Sequence, residues 1–188
     1  MLKKRLIPVL LLQNGLLVRS ELFQIHQIIG NPVHQVQRFN EWNVDELIYL
    51  DISHEGGYDV RRDDQKIKGL NDAMGILDAV AKTCFMPLTW GGRIRNIDDM
   101  RERFRRGADK ITLNSGAVKD PTLISRASKI FGSQAIVISI DVKKTDNRYE
   151  VFIDGGRTPT GLTPVDWARK VEALGAGETS LCFGVSYA

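Results

Sequence analysis

The sequence has few of the residues that staple a chain or hold a metal. Its 188 residues include two cysteines, Cys84 and Cys182, and three histidines, His26, His34 and His54. Two cysteines so far apart exclude the disulfide framework of a small secreted domain, and no spacing between them and the histidines fits a zinc site. Charge of one sign is also scarce: 26 basic against 23 acidic residues leave a net +3, too little to mark a nucleic-acid or anionic-membrane surface. Arg101, Arg103, Arg105 and Arg106 cluster around one short helix and its last turn, where cations complement the helix dipole, and read as a solvated face. No apolar run approaches the ~20 residues that span a bilayer. The opening Met-Leu-Lys-Lys-Arg enters a strand-length run that stops at Gln13, unlike a signal peptide. Together these absences lead to the expectation of a reduced, cytoplasmic protein with no metal.

What is present is an alternation of β and α patterns. Residues 5–12 form a first strand, followed by the turn signal Asn14-Gly15 and a strand-like excursion, LLVRSELF. Asn31-Pro32 opens a helix with Val33, Val36 and Phe39 as its apolar stripe. Residues 46–50 form a second strand ending in Asp51; a polar loop, 53–64, precedes a helix from about 70 to 82. A third strand, 85–90, turns at Gly91-Gly92. Asn96 caps a helix with Ile97, Met100 and Phe104 inward, closed by Gly107. Residues 110–113 are the fourth strand, and Asp120-Pro121 opens a helix with Leu123, Ala127 and Ile130 inward, closed by Gly132. The fifth strand, 134–140, is a β-branched run ending in Asp141; YEVFIDGG reads as one arm of a hairpin. Thr163-Pro164 starts a helix carrying Trp167, Val171 and Leu174 and closed by Gly175.

Strands three to five recur about every 25 residues, the length of a minimal strand–loop–helix unit. Such alternation gives a parallel sheet with right-handed crossovers, either open and doubly wound or closed as an eight-stranded barrel. Length favours the open sheet, since a barrel usually takes ~250 residues. Yet no glycine-rich turn joins the first strand to a helix, as a dinucleotide fold requires. Arg5, Glu46, Lys110 and Glu178 each stand near a strand start. In a barrel they could meet as a paired ring; otherwise they are ordinary element-end charges. Asp141 is open in the same way, because a carboxylate at a strand end is either part of a site or a loop cap. The corresponding position of the first strand holds Leu11.

The stretches MLKKRLIP, DELIYLDIS, GGRIRN, GADKITLNSGAV, FGSQAIVISID and TGLTPVDWARKVEALGAGE resemble, in order, the cyclase-subunit family of imidazole glycerol phosphate synthase (HisF). That resemblance implies an eight-stranded α/β barrel acting as a lyase of histidine biosynthesis. A HisH-like glutaminase would dock on the amino-terminal face and pass ammonia along the barrel axis. The ammonia would meet a bis-phosphorylated ribulosyl aminoimidazole carboxamide nucleotide at the carboxyl face, with no metal or organic cofactor. Arg5, Glu46, Lys110 and Glu178 match the family's ammonia gate, and Asp109 an acid facing the glutaminase. Asn114 and Ser115, with the turn at Gly92, match one phosphate site; Asp51 lies on the active-site rim. Asp141 matches one of two catalytic aspartates.

The departures lie at the carboxyl face. Leu11 replaces the second aspartate, Arg19 a lysine, and Arg93 the third glycine of the strand-three turn, which brings a cation to the expected phosphate. The opening MLKKRLIPVLLL is closer to HisF-like paralogues that supply ammonia for sugar acetamidino groups in surface-polysaccharide synthesis. Beyond Glu178 the pattern departs from the family over residues 179–188. The expectation is therefore a single barrel domain over residues 1–188, truncated to about five and a half β/α units, with activity made doubtful by Leu11. The missing C-terminal units add to that doubt, and the further alternatives are a non-catalytic scaffold for the glutaminase or an inactive truncated product.

Overall fold

The computed structural model describes residues 4–21, 24–53, 58, 72–145 and 148–184. They fall into two compact units: Met1–Arg19 with Gln27–Arg93 and Arg101–Asp109, and Ser20–His26 with Ile94–Met100 and Lys110–Ala188.

In the first unit, β1 (Val9–Gln13) turns at Asn14 and Gly15 and pairs antiparallel with β2 (Leu16–Glu21). After β3 (Ile25–Gly30) comes α1 (Pro32–Glu41), whose first turn is capped by the Asn31 side chain accepting from the N–H groups of Val33 and His34. β4 (Leu47–Asp51) lies parallel to β1 and to β5 (Leu88–Gly91), and α2 (Ala73–Ala81) connects those two strands. Leu47 and Tyr49 on β4, Trp90 on β5, Ile76 and Leu77 on α2 and Val36 on α1 are fully buried. Each such side chain contributes about 1.5–3 kcal/mol of transfer free energy. Tyr49 also stacks on Trp90 and donates its hydroxyl to the Pro32 carbonyl.

In the second unit, β6 (Lys110–Leu113) leads into a short helix, α4 (Ser115–Lys119), after α3 (Ile97–Arg105) in chain order. α5 (Thr122–Phe131) and one 3₁₀ turn (Ser133–Ala135) precede β7 (Ile136–Thr145). β8 (Arg148–Ile153), β9 (Thr158–Pro159), α6 (Pro164–Ala173) and β10 (Glu178–Phe183) complete the described chain. β7 has β10 parallel on one edge; the other holds β6, parallel, and then β8, antiparallel. The caps expected at Asn96 and Thr163 form, and Gly107, Gly132 and Gly175 end α3, α5 and α6 with φ of +105°, +88° and +102°.

Several elements differ from the sequence reading. The first strand starts at Val9, so Arg5 precedes it. The third starts at Leu88; Phe85 is 88% exposed and its N–H is held by the Asn40 side chain. The helix expected from residue 70 starts at Ala73, and the 53–64 loop and His54 lie largely outside the described residues. The buried arc of α5 is centred between Leu123 and Ile124, so Ile130 falls at its margin and is half-exposed. Arg103 is buried, so the arginine cluster is not wholly a solvated face, and Arg106 pairs with Asp78 at 2.5 Å.

The largest correction concerns Asp141. The chain does not turn out there: β7 runs on to Thr145 because its second half is the partner arm of the β8 hairpin. An ionisable residue interrupts the apolar run without ending the strand.

Candidate functional site

Asp141 is 9% exposed, midway along β7. Its register partners are Cys182 on β10 and Phe152 on β8. Neither neighbour compensates a charge, and burial pushes its carboxyl up to about 6, against the pull of an Asn114 side-chain hydrogen bond and the Lys143 cation. The Cys182 thiol is raised as well, by burial first and by Asp141 second. Asn114 precedes α4; its Oδ1 accepts from the Ser115 hydroxyl at 3.3 Å, and that hydroxyl accepts the Asp154 N–H at 2.9 Å. The structure thus joins three sequence-predicted residues, Asp141, Asn114 and Ser115, in one polar run.

Asp51 ends β4 and has a different setting. Its Oδ1 accepts from the Ser53 N–H at 3.0 Å and the Ser53 hydroxyl at 2.6 Å. Its Oδ2 faces the Tyr58 hydroxyl at 3.4 Å and Arg93 Nε at 3.7 Å. The Arg93 guanidinium also lies 5.9 Å from the centre of the Tyr58 ring. Gly92 has φ +102°, and a Cβ there would collide with the Asp51 carbonyl oxygen; Arg93 follows at φ +55°, a left-handed conformation that costs an L-residue about 1 kcal/mol. The turn therefore brings Gly92 and Arg93 against Asp51, and the arginine cation meets this carboxylate.

Among the contacts of the four charges near the strand starts, Arg5 pairs with Glu46 in one unit and Lys110 with Glu178, at 2.9 Å, in the other. Asp109 is exposed and tied locally, its Oδ2 accepting the Leu88 N–H at 2.8 Å. Leu11 is half-buried within β1, opposite Leu50 and Val18, and Arg19 is exposed on β2. Among the described residues no group of three His, Cys, Asp or Glu could hold a metal ion, and no helix is long and apolar enough to cross a membrane.

The sequence reading missed Tyr58, Lys143 and Cys182 as neighbours of the two acids. Lys143 was within reach of pattern reasoning, since two residues along a strand return to the same face. Cys182 required knowledge of the β7–β10 register, and Tyr58 came with no periodic signal.

The family described as "Histidine biosynthesis protein" matches residues 5–183. The chain belongs to this family. It is 41% identical over 181 residues to an imidazole glycerol phosphate synthase subunit HisF from Natranaerobius thermophilus, and 44% identical over 187 residues to one from Alkaliphilus metalliredigens. A third HisF subunit, from Chloroherpeton thalassium, is 41% identical over 181 residues. In all three comparisons the match covers 96% of this chain and 68% of the relative. The fold class is that of the α/β barrel family, and the HisF-like reading of the sequence holds.

Proposed function

We propose that the chain is the ammonia-using subunit of an imidazole glycerol phosphate synthase. Ammonia made by a glutaminase partner enters past the Arg5–Glu46 and Lys110–Glu178 pairs, with Asp109 on the docking face. At the carboxyl ends of the strands it meets a phosphorylated ribulosyl aminoimidazole carboxamide nucleotide. The family pattern assigns Arg19, Asp51, Gly92 and Arg93 of one unit, and Asn114 and Ser115 of the other, to binding this substrate, and ring closure releases imidazole glycerol phosphate and aminoimidazole carboxamide ribotide.

The observation that carries this reading is the placement of Asp141, buried midway along β7 with no cation paired to it by its register partners, Cys182 and Phe152; burial pushes its carboxyl up to about 6. A carboxyl raised toward neutrality can both accept and donate a proton in the working range. A carboxyl at its ordinary value would be almost wholly ionised. With Leu11 across the family pattern, Asp141 performs both transfers in turn, accepting a proton as ammonia adds and returning it as the ring closes.

The test supplies ammonium chloride in place of the glutaminase and follows imidazole glycerol phosphate from the ribulosyl nucleotide. The wild-type chain forms product and Asp141→Asn lowers the rate by about a thousandfold; equal rates would refute the assignment. Adding the glutaminase subunit with glutamine then tests the partner. Ammonia consumption without imidazole glycerol phosphate would point to another acceptor, which Leu11 and the sugar-amidating resemblance would allow.

A further inference from the structure

The amino-terminal ends of the parallel strands β1, β4 and β5, all in the first unit, carry exposed apolar side chains. Connections that run from a helix into such a strand lie at this end. Trp42 stands in the one between α1 and β4, Phe85 in the one between α2 and β5, and Leu6 just before β1. They are 64%, 88% and 66% exposed. Lone apolar side chains are ordinary on a surface, but these three share one end of one unit.

Hydrogen bonds fix the backbone that presents them. Asn40, near the end of α1, spans to the α2–β5 connection with both ends of its amide. Its NH₂ donates to the Thr83 carbonyl at 2.6 Å, and its Oδ1 accepts the Phe85 N–H at 3.1 Å. Trp42 follows two residues later; its N–H donates to the Arg38 carbonyl and its ring meets Phe39 edge-on, 5.6 Å between centres. Leu6 donates its N–H to Asp45 Oδ2 at 2.7 Å and accepts the Asp45 N–H at 3.1 Å. The bond that holds Phe85 uses its main chain, which any non-proline residue would supply, and its ring serves no part of it. Aromatic side chains on a backbone already fixed lose little freedom on association, which is what interface anchors require.

The same end of this unit holds residues assigned above to the glutaminase. Leu6 adjoins Arg5, Trp42 lies four residues before Glu46, and Arg5 pairs with Glu46. Leu88, three residues after Phe85, donates its N–H to Asp109 Oδ2 and accepts the Asp109 N–H, both at 2.8 Å. Building on the reading of a glutaminase-fed subunit, we propose that Trp42 and Phe85 are the anchors that hold the glutaminase, with Leu6 part of the same contact. The partner face that fits them is apolar, with recesses for an indole and a phenyl ring, and it meets the chain beside the Arg5–Glu46 pair.

The test needs no turnover: a purified HisH-type glutaminase is titrated into the full chain in a calorimeter. Phe85→Ser and Trp42→Ser each weaken binding by about thirtyfold, while both keep the wild-type melting temperature, which tells a lost partner from a lost fold. Val165→Ser, at a similarly exposed apolar side chain on α6, leaves the affinity unchanged. Wild-type affinity in both aromatic variants overturns the proposal, as does an equal loss in Val165→Ser. A wild-type chain that binds no glutaminase, or that self-associates through these rings instead, overturns it too. The reaction assignment fails separately, if Asp141→Asn fed with ammonium chloride still forms imidazole glycerol phosphate at the wild-type rate, an assay from which the glutaminase is absent.

Discussion

Asp51 and Asp141 are both buried carboxylates on central parallel strands, one in each unit, and the chain treats them in opposite ways. Asp51 receives a backbone N–H, two hydroxyls and the arginine cation. Asp141 has one amide, a lysine and apolar or neutral flanks, and its carboxyl is pushed up to about 6. Burial alone therefore does not set the character of a carboxylate; the supply of donors does. A saturated carboxylate organises the residues around it, as Asp51 organises Ser53, Tyr58 and Arg93. An undersupplied one is left able to exchange a proton.

The comparison can be broken most severely at Asp141. Asp141→Asn is expected to lower ammonia-dependent turnover by about a thousandfold, close to 4 kcal/mol of barrier, measured as imidazole glycerol phosphate formed. The same variant should be more stable than wild type at pH 8 by about 2 kcal/mol, since it buries no charge; a lower melting temperature at that pH would contradict this account. At Asp51 the sign reverses. Asp51→Asn leaves the Arg93 cation beside an amide and should cost about 3 kcal/mol, read as a lower urea midpoint.

A pH series sharpens the contrast further. Asp141 takes up its proton more readily folded than unfolded, so between the ordinary value of 3.8 and about 6 the folded state holds more protons. Its contribution to stability is full below that window and is lost as pH rises through it, by about 3 kcal/mol at most. Subtracting the Asp141→Asn profile from that of wild type should isolate this fall; a flat difference from pH 4 to 7 would remove the raised carboxyl from consideration. The smallest effect is expected at Arg93→Gly. Relief of the left-handed backbone, about 1 kcal/mol, opposes loss of the Asp51 pair. The net change should stay within about 1 kcal/mol by thermal melting, and a larger loss would show that the ion pair dominates.

Much of this architecture was legible because local chemistry and global fold agree. Asn31-Pro32 and Thr163-Pro164 announce their helices, Gly107, Gly132 and Gly175 close theirs, and Lys110 to Leu113 is a strand to the residue. Asp51 was readable as a strand end. Asp141 was readable as an important residue and misread as a terminus, because a lone acid after a β-branched run looks like the beginning of a loop. What hides the truth is the tertiary partner: Val142 is buried and Lys143 to Thr145 stay extended because β8 returns against them. The donors around Asp51 were hidden for the same reason, since Tyr58 and Arg93 approach it from separate connections. α4 carries too few residues to show a helical period.

The two-sided seating of β7 has a consequence for fidelity. A slip of one residue would turn Asp141 to the opposite face. A slip that preserved the match with β8 would still violate the match with β10, which runs the other way relative to that hairpin and ends at a different place. The residue that must be placed most accurately is thus proofread twice as the sheet assembles, by two neighbours whose errors do not coincide.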